Sequence, residues 1–424
     1  MRDTQPYKDK KITVVGLARS GVACANLLYE LGAQVNVTDN KDDSLRLENS
    51  RKLKSKNIKV ELGRHTPDSI KGSDLVVISP GVTSQALPVV LADERNIPVI
   101  SEIELAFSLC PATVVAVTGS IGKTTVTSLI ANIINASGKK AFACGNIGTP
   151  FCAQVTRMQE ADFAVVEVSS FQLERIKDFK PAIACMLNFS RNHLDRHADM
   201  QEYLEAKKRI YANMDKGDYL VLNYDDPVLR GLSKETKAKV VYFSKKDGLN
   251  PNQGAALAVG GILGIDRGII EGVFGEFRGL EHRMEFVAEI NGVRFINDSK
   301  ATTMESAAWA LENIATPVIL IAGGKDKGVD YASLLGIAKK KVRGVILIGE
   351  AREKMESAWK GSLSMEGAGT MEEAVRKAFL KAGAKDTVLL SPMCSSFDMF
   401  SDYEERGRVF KRCVLGLTAK GVKA

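Results

Sequence analysis

The sequence predicts an α/β protein of three domains, each built on a mainly parallel sheet. Short β-branched runs that end at Gly, Asp or Ser alternate with helical stretches, the rhythm of strand–crossover–strand units. That rhythm restarts near Pro111 and again near Phe277 to Arg283. A chain of 424 residues also exceeds what one ordinary core holds.

In the first segment, residues 11–15 form a β-branched strand ending at Gly16. A helical stretch follows over 21–31, then a strand over 34–38 ending at Asp39. Asp74 to Ile78 is a buried strand followed by Ser79-Pro80-Gly81, and 98–100 a further short one. The second segment opens with a strand over 113–117, a Gly-containing loop over 119–125 and a helix to Ser137, stopped by Gly138. Strands over 161–166 and 183–187 follow, then an amphipathic helix over 200–213. The polar stretch 245–251 passes into a small-residue run that reads as a helix over 253–265. In the third segment, strands over 293–296, 318–322, 345–348 and 388–390 alternate with helical patterns such as 370–382. The expected domains are 1–108, 109–279 and 280–424.

Composition excludes several classes. No apolar stretch approaches the roughly 18 residues needed to span a bilayer, and the polar N-terminus lacks the apolar core of a secretory signal. The seven cysteines are scattered with no CxxC pair, which argues for reduced thiols in the cytoplasm and against a disulfide framework or structural zinc. The charge of +7 is not gathered into basic blocks and aromatics make up only 6%, so nucleic acid is not the expected partner. Anionic small substrates fit a mild positive bias.

The strongest chemical motif is Val117-Thr118-Gly119-Ser120-Ile121-Gly122-Lys123-Thr124-Thr125, between a strand and a helix. Backbone N–H groups of such a loop, with the helix N-terminus, converge on phosphate oxygens. Lys123 would reach the β- and γ-phosphates, and a Thr124 or Thr125 hydroxyl would face Mg²⁺. The alternative is a tight glycine turn entering a helix. Glu167 ends its strand where ligands of open α/β sheets bind, and is a Mg²⁺ ligand or part of a helix N-cap region preceding Ser169 and Ser170. His193 and Asp195 lie just past the next strand end. Lys207 and Lys208 read, from pattern alone, as a solvated helix face. Gly16 to Gly21 with Asp39 fits a nicotinamide domain as well as a site for a UDP-linked ligand. In the third segment, Asn297 to Thr302, Gly323 to Gly328 and Ser391 to Asp398 each follow a strand, and together they suggest one anion-binding face.

These residues resemble the Mur ligase family over nearly the whole chain. Gly16 to Gly21, Asp39 and Ser79-Pro80-Gly81 look like its UDP-binding first domain, and Thr118 to Thr125 like its short phosphate loop. Gly145 to Gly148, Glu167 to Leu173, His193 to Asp195, Tyr203 to Tyr211, His282-Arg283, Asn297 to Ala301 and Gly323 to Gly328 follow in family order. The stretch Leu390 to Phe400, with Tyr403, Arg406 and Gly407, resembles the member that adds D-glutamate, and the Asp-Asn-Pro-Arg stretch of the meso-diaminopimelate-adding relative is absent. The chain departs from the family in three places. Ser120-Ile121 stands where Thr followed by Asn or Asp is usual, the region before Asn252 is short and lacks a His-Asn pair, and Arg191 takes a usually acidic position.

The resemblance implies a Rossmann-like N-terminal domain, a central P-loop-type ATPase domain with mainly parallel sheet, and a Rossmann-like C-terminal domain. It implies a monomeric cytoplasmic ligase that uses ATP to join D-glutamate to UDP-N-acetylmuramoyl-L-alanine through an acyl phosphate, with no role for nucleic acid or membrane. Gly119, Ser120, Ile121, Gly122, Lys123, Thr124, Thr125, Asn252, Arg283 and Asp298 would hold ATP. Gly16, Arg19, Ser20, Gly21, Asp39, Asn40, Ser79, Pro80, Gly81 and Asn146 would hold the UDP substrate. Lys300, Thr302, Lys327, Ser396, Phe397 and Tyr403 would surround D-glutamate. Two Mg²⁺ ions would be bound by Thr124 and Glu167 and by His193 and a carbamylated Lys207, and Lys123, Glu167, His193 and Lys207 would carry catalysis, after domain closure. A ligase adding another amino acid, or extending folate with glutamate, would share most of these features. An NAD-dependent oxidoreductase would account for Gly16 to Gly21 but leaves Gly119 to Thr125 without a role. The short segment before Asn252 also allows a nucleotide-binding protein that has lost turnover.

Overall fold

Seventeen strands among the described residues fall into three sheets, seen in a computed structural model that describes residues 4–190, 196–245, 248–277 and 279–419. The chain divides into two units, Met1–Phe277 with two sheets and Arg278–Ala424 with the third.

The first sheet contains β1 (Lys11–Val15), β2 (Gln34–Thr38), β3 (Lys59–Glu61), β4 (Leu75–Ile78) and β5 (Val99–Ser101), all parallel in the order β3-β2-β1-β4-β5. This is a doubly wound arrangement whose order reverses beside β1, so the turn after β1 opens at the sheet's ligand-binding edge. The helix after that turn, Arg19–Glu30, begins two residues earlier than its apolar pattern suggests. Gly21 is required in it by close approach, since a Cβ there would lie 1.8 Å from the Gly16 carbonyl oxygen.

The second sheet contains β6 (Thr113–Thr118), β7 (Ala141–Gly145), β8 (Phe163–Glu167), β9 (Ile183–Met186), β10 (Tyr219–Asn223) and β11 (Lys239–Phe243). It too is wholly parallel, ordered β11-β10-β9-β6-β8-β7. Its central strands are apolar almost throughout because both faces are covered. On one face Val115, Val117 and Val165 pack under the helices Lys123–Ala136 and Pro251–Ile262. On the other, Val114, Ala116 and Val166 join a core continuous with Ile12, Val14 and Leu28 of the first sheet. The glycine-bearing run near residue 253 is thus a real helix, begun by an Asn250 cap with Pro251 at its first position.

The helix Glu102–Leu109 links the two sheets through buried carboxylates. Glu104 accepts the N–H groups of Lys177, Asp178 and Phe179 at 2.8–3.0 Å, and Glu102 accepts that of Cys152 at 2.8 Å. Removing Glu104 would strand three backbone donors at roughly 1–3 kcal/mol each. The seven cysteines are free thiols, six of them buried.

The second unit holds β12 (Glu285–Ile290), β13 (Val293–Asn297), β14 (Val318–Gly323), β15 (Val342–Ile348), β16 (Met365–Gly367) and β17 (Thr387–Leu390), ordered β12-β13-β17-β14-β15-β16. β12 runs antiparallel to β13 and the rest are parallel, so this sheet is mixed. No helix among the described residues is long and apolar enough to cross a membrane.

Candidate active site

The turn after β6 is built by two glycines and braced from the neighbouring strand. Gly122 sits at φ +87°, where a side-chain-bearing residue costs about 1–2 kcal/mol, and a Cβ there would lie 2.6 Å from the Asn252 Oδ1. Asn252 therefore packs directly on the turn, although it lies 130 positions further along the chain than Gly122. The helix Lys123–Ala136 starts at once after Gly122, and the N–H groups of its first turn lack intrahelical acceptors. Lys123 curls back so that its Nζ donates to the Gly119 and Ser120 carbonyls at 2.9 and 3.1 Å.

Asn188, the second residue after β9, closes the other side. Its Oδ1 accepts the N–H groups of Ser120 and Ile121 at 3.0 and 2.9 Å, and its Nδ2 donates to the Ile121 carbonyl at 2.9 Å. The N–H groups of Ser120 and Ile121 thus face Asn188, which narrows the expected backbone cradle to the groups from Gly122 onward. The Ser120 hydroxyl is bonded to the backbone of Ser190 and lies 3.3 Å from the Tyr203 hydroxyl.

Lys207 is not on a solvated face. It is buried, with its Nζ 3.3 Å from Thr118 Oγ1 and 3.0 Å from the Gly119 carbonyl. Burial pushes its pKa well down, the nearby Lys123 charge pushes the same way, and Glu167 partly opposes both. The helical pattern misleads here because the face carrying Tyr203 and Lys207 packs under the turn while Lys208 pairs with Glu205 and Glu235 at the surface.

Glu167 ends β8, buried beside the same turn. Its Oε1 accepts from Asn146 Nδ2 at 2.9 Å, and its Oε2 has no hydrogen-bond partner. The N-cap alternative falls to Ser169, which forms a capping box with Gln172. Lys123, Thr124, Glu167, Lys207 and Asn252 are therefore brought to one turn, as are Gly119 to Gly122. His193, with Arg191 and Asp195, lies outside the described residues.

Around the first sheet, Asp39 accepts the N–H of Leu17 at 2.7 Å and of Lys41 at 3.0 Å, and Ser79 Oγ donates to the Gly16 carbonyl. The turns after β1, β2 and β4 are thereby tied together, with Arg19, Ser20, Asn40, Pro80 and Gly81 on their outer side and the Arg19 guanidinium 3.4 Å from the Gly148 carbonyl. One residue absent from the sequence expectation joins these loops to the β8 turn. Arg196 donates to the Pro80 and Val82 carbonyls and stacks on Phe171 at 4.1 Å. Its adjacency to the His193-Leu-Asp195 motif was the available signal, and for Asn188 it was the position just past a strand end.

In the second unit the three strand-end clusters do meet. Lys325 N donates to Ser395 O, Met393 N to Ala301 O and Gly323 N to Pro392 O. The buried Arg406 ties Ser299 to the Cys394 carbonyl. Lys327 donates to the Thr302 carbonyl, Lys300 lies 5.3 Å from the Tyr403 ring centre, Ser396 is buried and Phe397 is exposed. Asp298 is buried between Met284 N and Ser391 Oγ, with Arg283 close enough to act on its charge, and desolvation raises its pKa to about 7.

Three family models match the chain: the Mur ligase MurD-like N-terminal domain over residues 10–101, the Mur ligase middle domain over 117–258, and the Mur ligase glutamate ligase domain over 282–394. The UDP-N-acetylmuramoylalanine--D-glutamate ligase of Geotalea uraniireducens is 44% identical over 443 residues, covering 96% of this chain and 98% of that protein. The enzyme of the same name from Thermoanaerobacter pseudethanolicus is 40% identical, covering 97% and 99%. Among solved structures, UDP-N-acetylmuramate-alanine ligase MurC from Thermotoga maritima is similar in fold, with TM-score 0.62, 17% identity, and 96% and 99% of the two chains covered. MurF ligase from Thermotoga maritima in complex with ADP gives TM-score 0.60 at 15% identity, covering 98% and 97%.

Proposed function

Because this chain belongs to the Mur ligase family, we propose that it is the ATP-dependent ligase that adds D-glutamate to UDP-N-acetylmuramoyl-L-alanine in peptidoglycan precursor synthesis. High identity to relatives bearing that name, over nearly their whole length, supports the substrate assignment. The single observation that carries the chemistry is the gathering of Lys123, Glu167 and Lys207 around the turn Gly119 to Gly122. The family matches support domains at 1–108, 109–279 and 280–424. We assign the protein to the cytoplasm as a monomer.

A carboxylate oxygen is a poor leaving group, so amide formation requires activation. In this reading ATP phosphorylates the alanyl carboxylate, and the amine of D-glutamate attacks the acyl phosphate. Phosphoryl transfer asks the protein mainly for positioning and charge neutralisation. Lys123 binds the transferred phosphate, and the N-terminus of its helix adds a positive dipole. Gly16, Asp39 and Ser79 hold the UDP substrate, Arg283 and Asp298 contribute to ATP, and Lys300, Thr302, Lys327, Ser396, Phe397 and Tyr403 receive D-glutamate.

The donor set fits a hard divalent cation. Glu167 Oε2 is buried without a partner, and Thr124 is buried on the adjacent turn. Thr124 and Glu167 would hold one Mg²⁺, and His193 and the carbamate oxygens of a modified Lys207 the other. When bound, Mg²⁺ offsets negative charge on the phosphoryl oxygens. Lys207 is suited to carbamylation because burial and the neighbouring Lys123 charge lower its pKa and so favour the neutral amine, the form that reacts with CO₂.

The test is phosphate release from ATP with the two substrates supplied separately and together. Release is expected only when both are present, and near-abolition in Lys123→Ala. Release without D-glutamate, or equal turnover with L-glutamate, would overturn the assignment.

A further inference from the structure

We infer that Asn188 is a positioning residue for nucleotide binding, orienting the peptide between Ile121 and Gly122 so that its N–H faces the phosphate. The inference rests on reading Gly119 to Thr125 as the ATP phosphate loop, and deepens it by naming what holds the loop in a binding-competent shape.

A loop that binds anions through its backbone has a specific weakness. Each peptide plane carries a donor and an acceptor pointing opposite ways, because the trans amide is planar. A half-turn of one plane replaces an N–H by a carbonyl oxygen and converts attraction into repulsion. Glycines make such a flip cheap, since they tolerate both signs of φ. This loop has Gly119 and Gly122, with Gly122 at φ +87°. Something must therefore fix the planes.

Asn188 supplies the fixing contacts. The Ile121 carbonyl accepts from Asn188 Nδ2 at 2.9 Å, so the Gly122 N–H in the same plane points away from Asn188. Asn188 Oδ1 takes the two preceding N–H groups, of Ser120 at 3.0 Å and Ile121 at 2.9 Å. The Asn188 backbone carbonyl also accepts from Ser120 N at 3.1 Å. Asn188 can do this because the backbone continues the β6–β9 pairing one step further, with Leu187 N donating to Thr118 O. A carboxamide is the one side chain that offers an acceptor and a donor side by side in one plane. Aspartate keeps the acceptor but sets a second oxygen against the Ile121 carbonyl, which favours the flipped plane.

The experiment measures ATP and UDP-N-acetylmuramoyl-L-alanine binding by calorimetry on the full chain, for wild type, Asn188→Ala and Asn188→Asp. Wild-type ATP binding is measured first, and its absence would count against the ligase reading itself. Expected is a loss of ATP affinity of about tenfold or more in both variants, with affinity for the UDP substrate within about twofold of wild type. Aspartate should fail to rescue alanine. Unchanged or tighter ATP binding in either folded variant would overturn the inference. If the alanine variant does not fold, the aspartate variant decides by the same criterion. In turnover the effect should appear in KM for ATP and not in KM for D-glutamate, and a rise in both would mark a merely structural role.

Discussion

Replacing Asp298 by Asn should remove a pH dependence of stability confined to the second unit. Asp298 is buried, and desolvation raises its carboxyl to about 7 despite the Ser391 hydroxyl, the Met284 N–H and Arg283, all of which favour the charged form. An exposed aspartate titrates near 3.9. The folded state therefore holds the proton more tightly than the unfolded state, and stability falls as pH rises from about 4 to about 7. Raising the carboxyl from about 4 to about 7 corresponds to roughly 4 kcal/mol across the whole window. Between about pH 5 and about pH 8 the difference should be roughly 2.5 kcal/mol. The readout is urea unfolding followed by tryptophan fluorescence, which reports this unit alone because Trp309 and Trp359 are the only tryptophans. The wild type should lose that stability relative to Asp298→Asn on going from the lower to the higher pH. Parallel pH profiles for the two proteins would refute the reasoning, since the carboxyl would then titrate alike in both states.

Three further outcomes follow from the geometry of the first unit. Gly122→Ala places a Cβ against Asn252 Oδ1 and strains φ by about 1–2 kcal/mol, so ATP affinity should drop about tenfold, and calorimetry showing wild-type affinity would contradict that. Arg196→Ala removes two bonds to the Ser79-Pro80-Gly81 region and the Phe171 stack, so KM for the UDP substrate should rise about tenfold while KM for ATP stays within about twofold. Arg196→Lys should not restore it, because an ammonium cannot reproduce a stacked fork. Stripping dissolved CO₂ should abolish turnover and bicarbonate should restore it if Lys207 is carbamylated, and indifference to CO₂ would count against that modification.

Much of the fold was legible because strands over 11–15, 113–118 and 318–323 are apolar runs cut off by glycine or a polar cluster, a signal that needs only local spacing. The three-residue β3 and β16, and also the longer β7, β10, β11 and β12, are absent from the sequence expectation, whereas the equally short β5 is in it, so length alone did not decide which strands were legible. The sheet orders are also non-local, since neighbouring strands such as β13 and β17 lie far apart in the chain.

The same division runs through the site. The glycine turn after β6, Glu167 at a strand end and the three polar clusters of the second unit are properties of short segments, and the amino-acid order alone determined them. Tertiary structure decided that Lys207 is buried against Thr118, 89 positions away, that Asn188 braces Ile121 across 67, and that Asn252 presses on Gly122. The physical reason is that burial and hydrogen-bond partnership depend on which strands become neighbours. A lysine on a polar helix face, or an asparagine after a strand, carries no record of that until the sheet has formed.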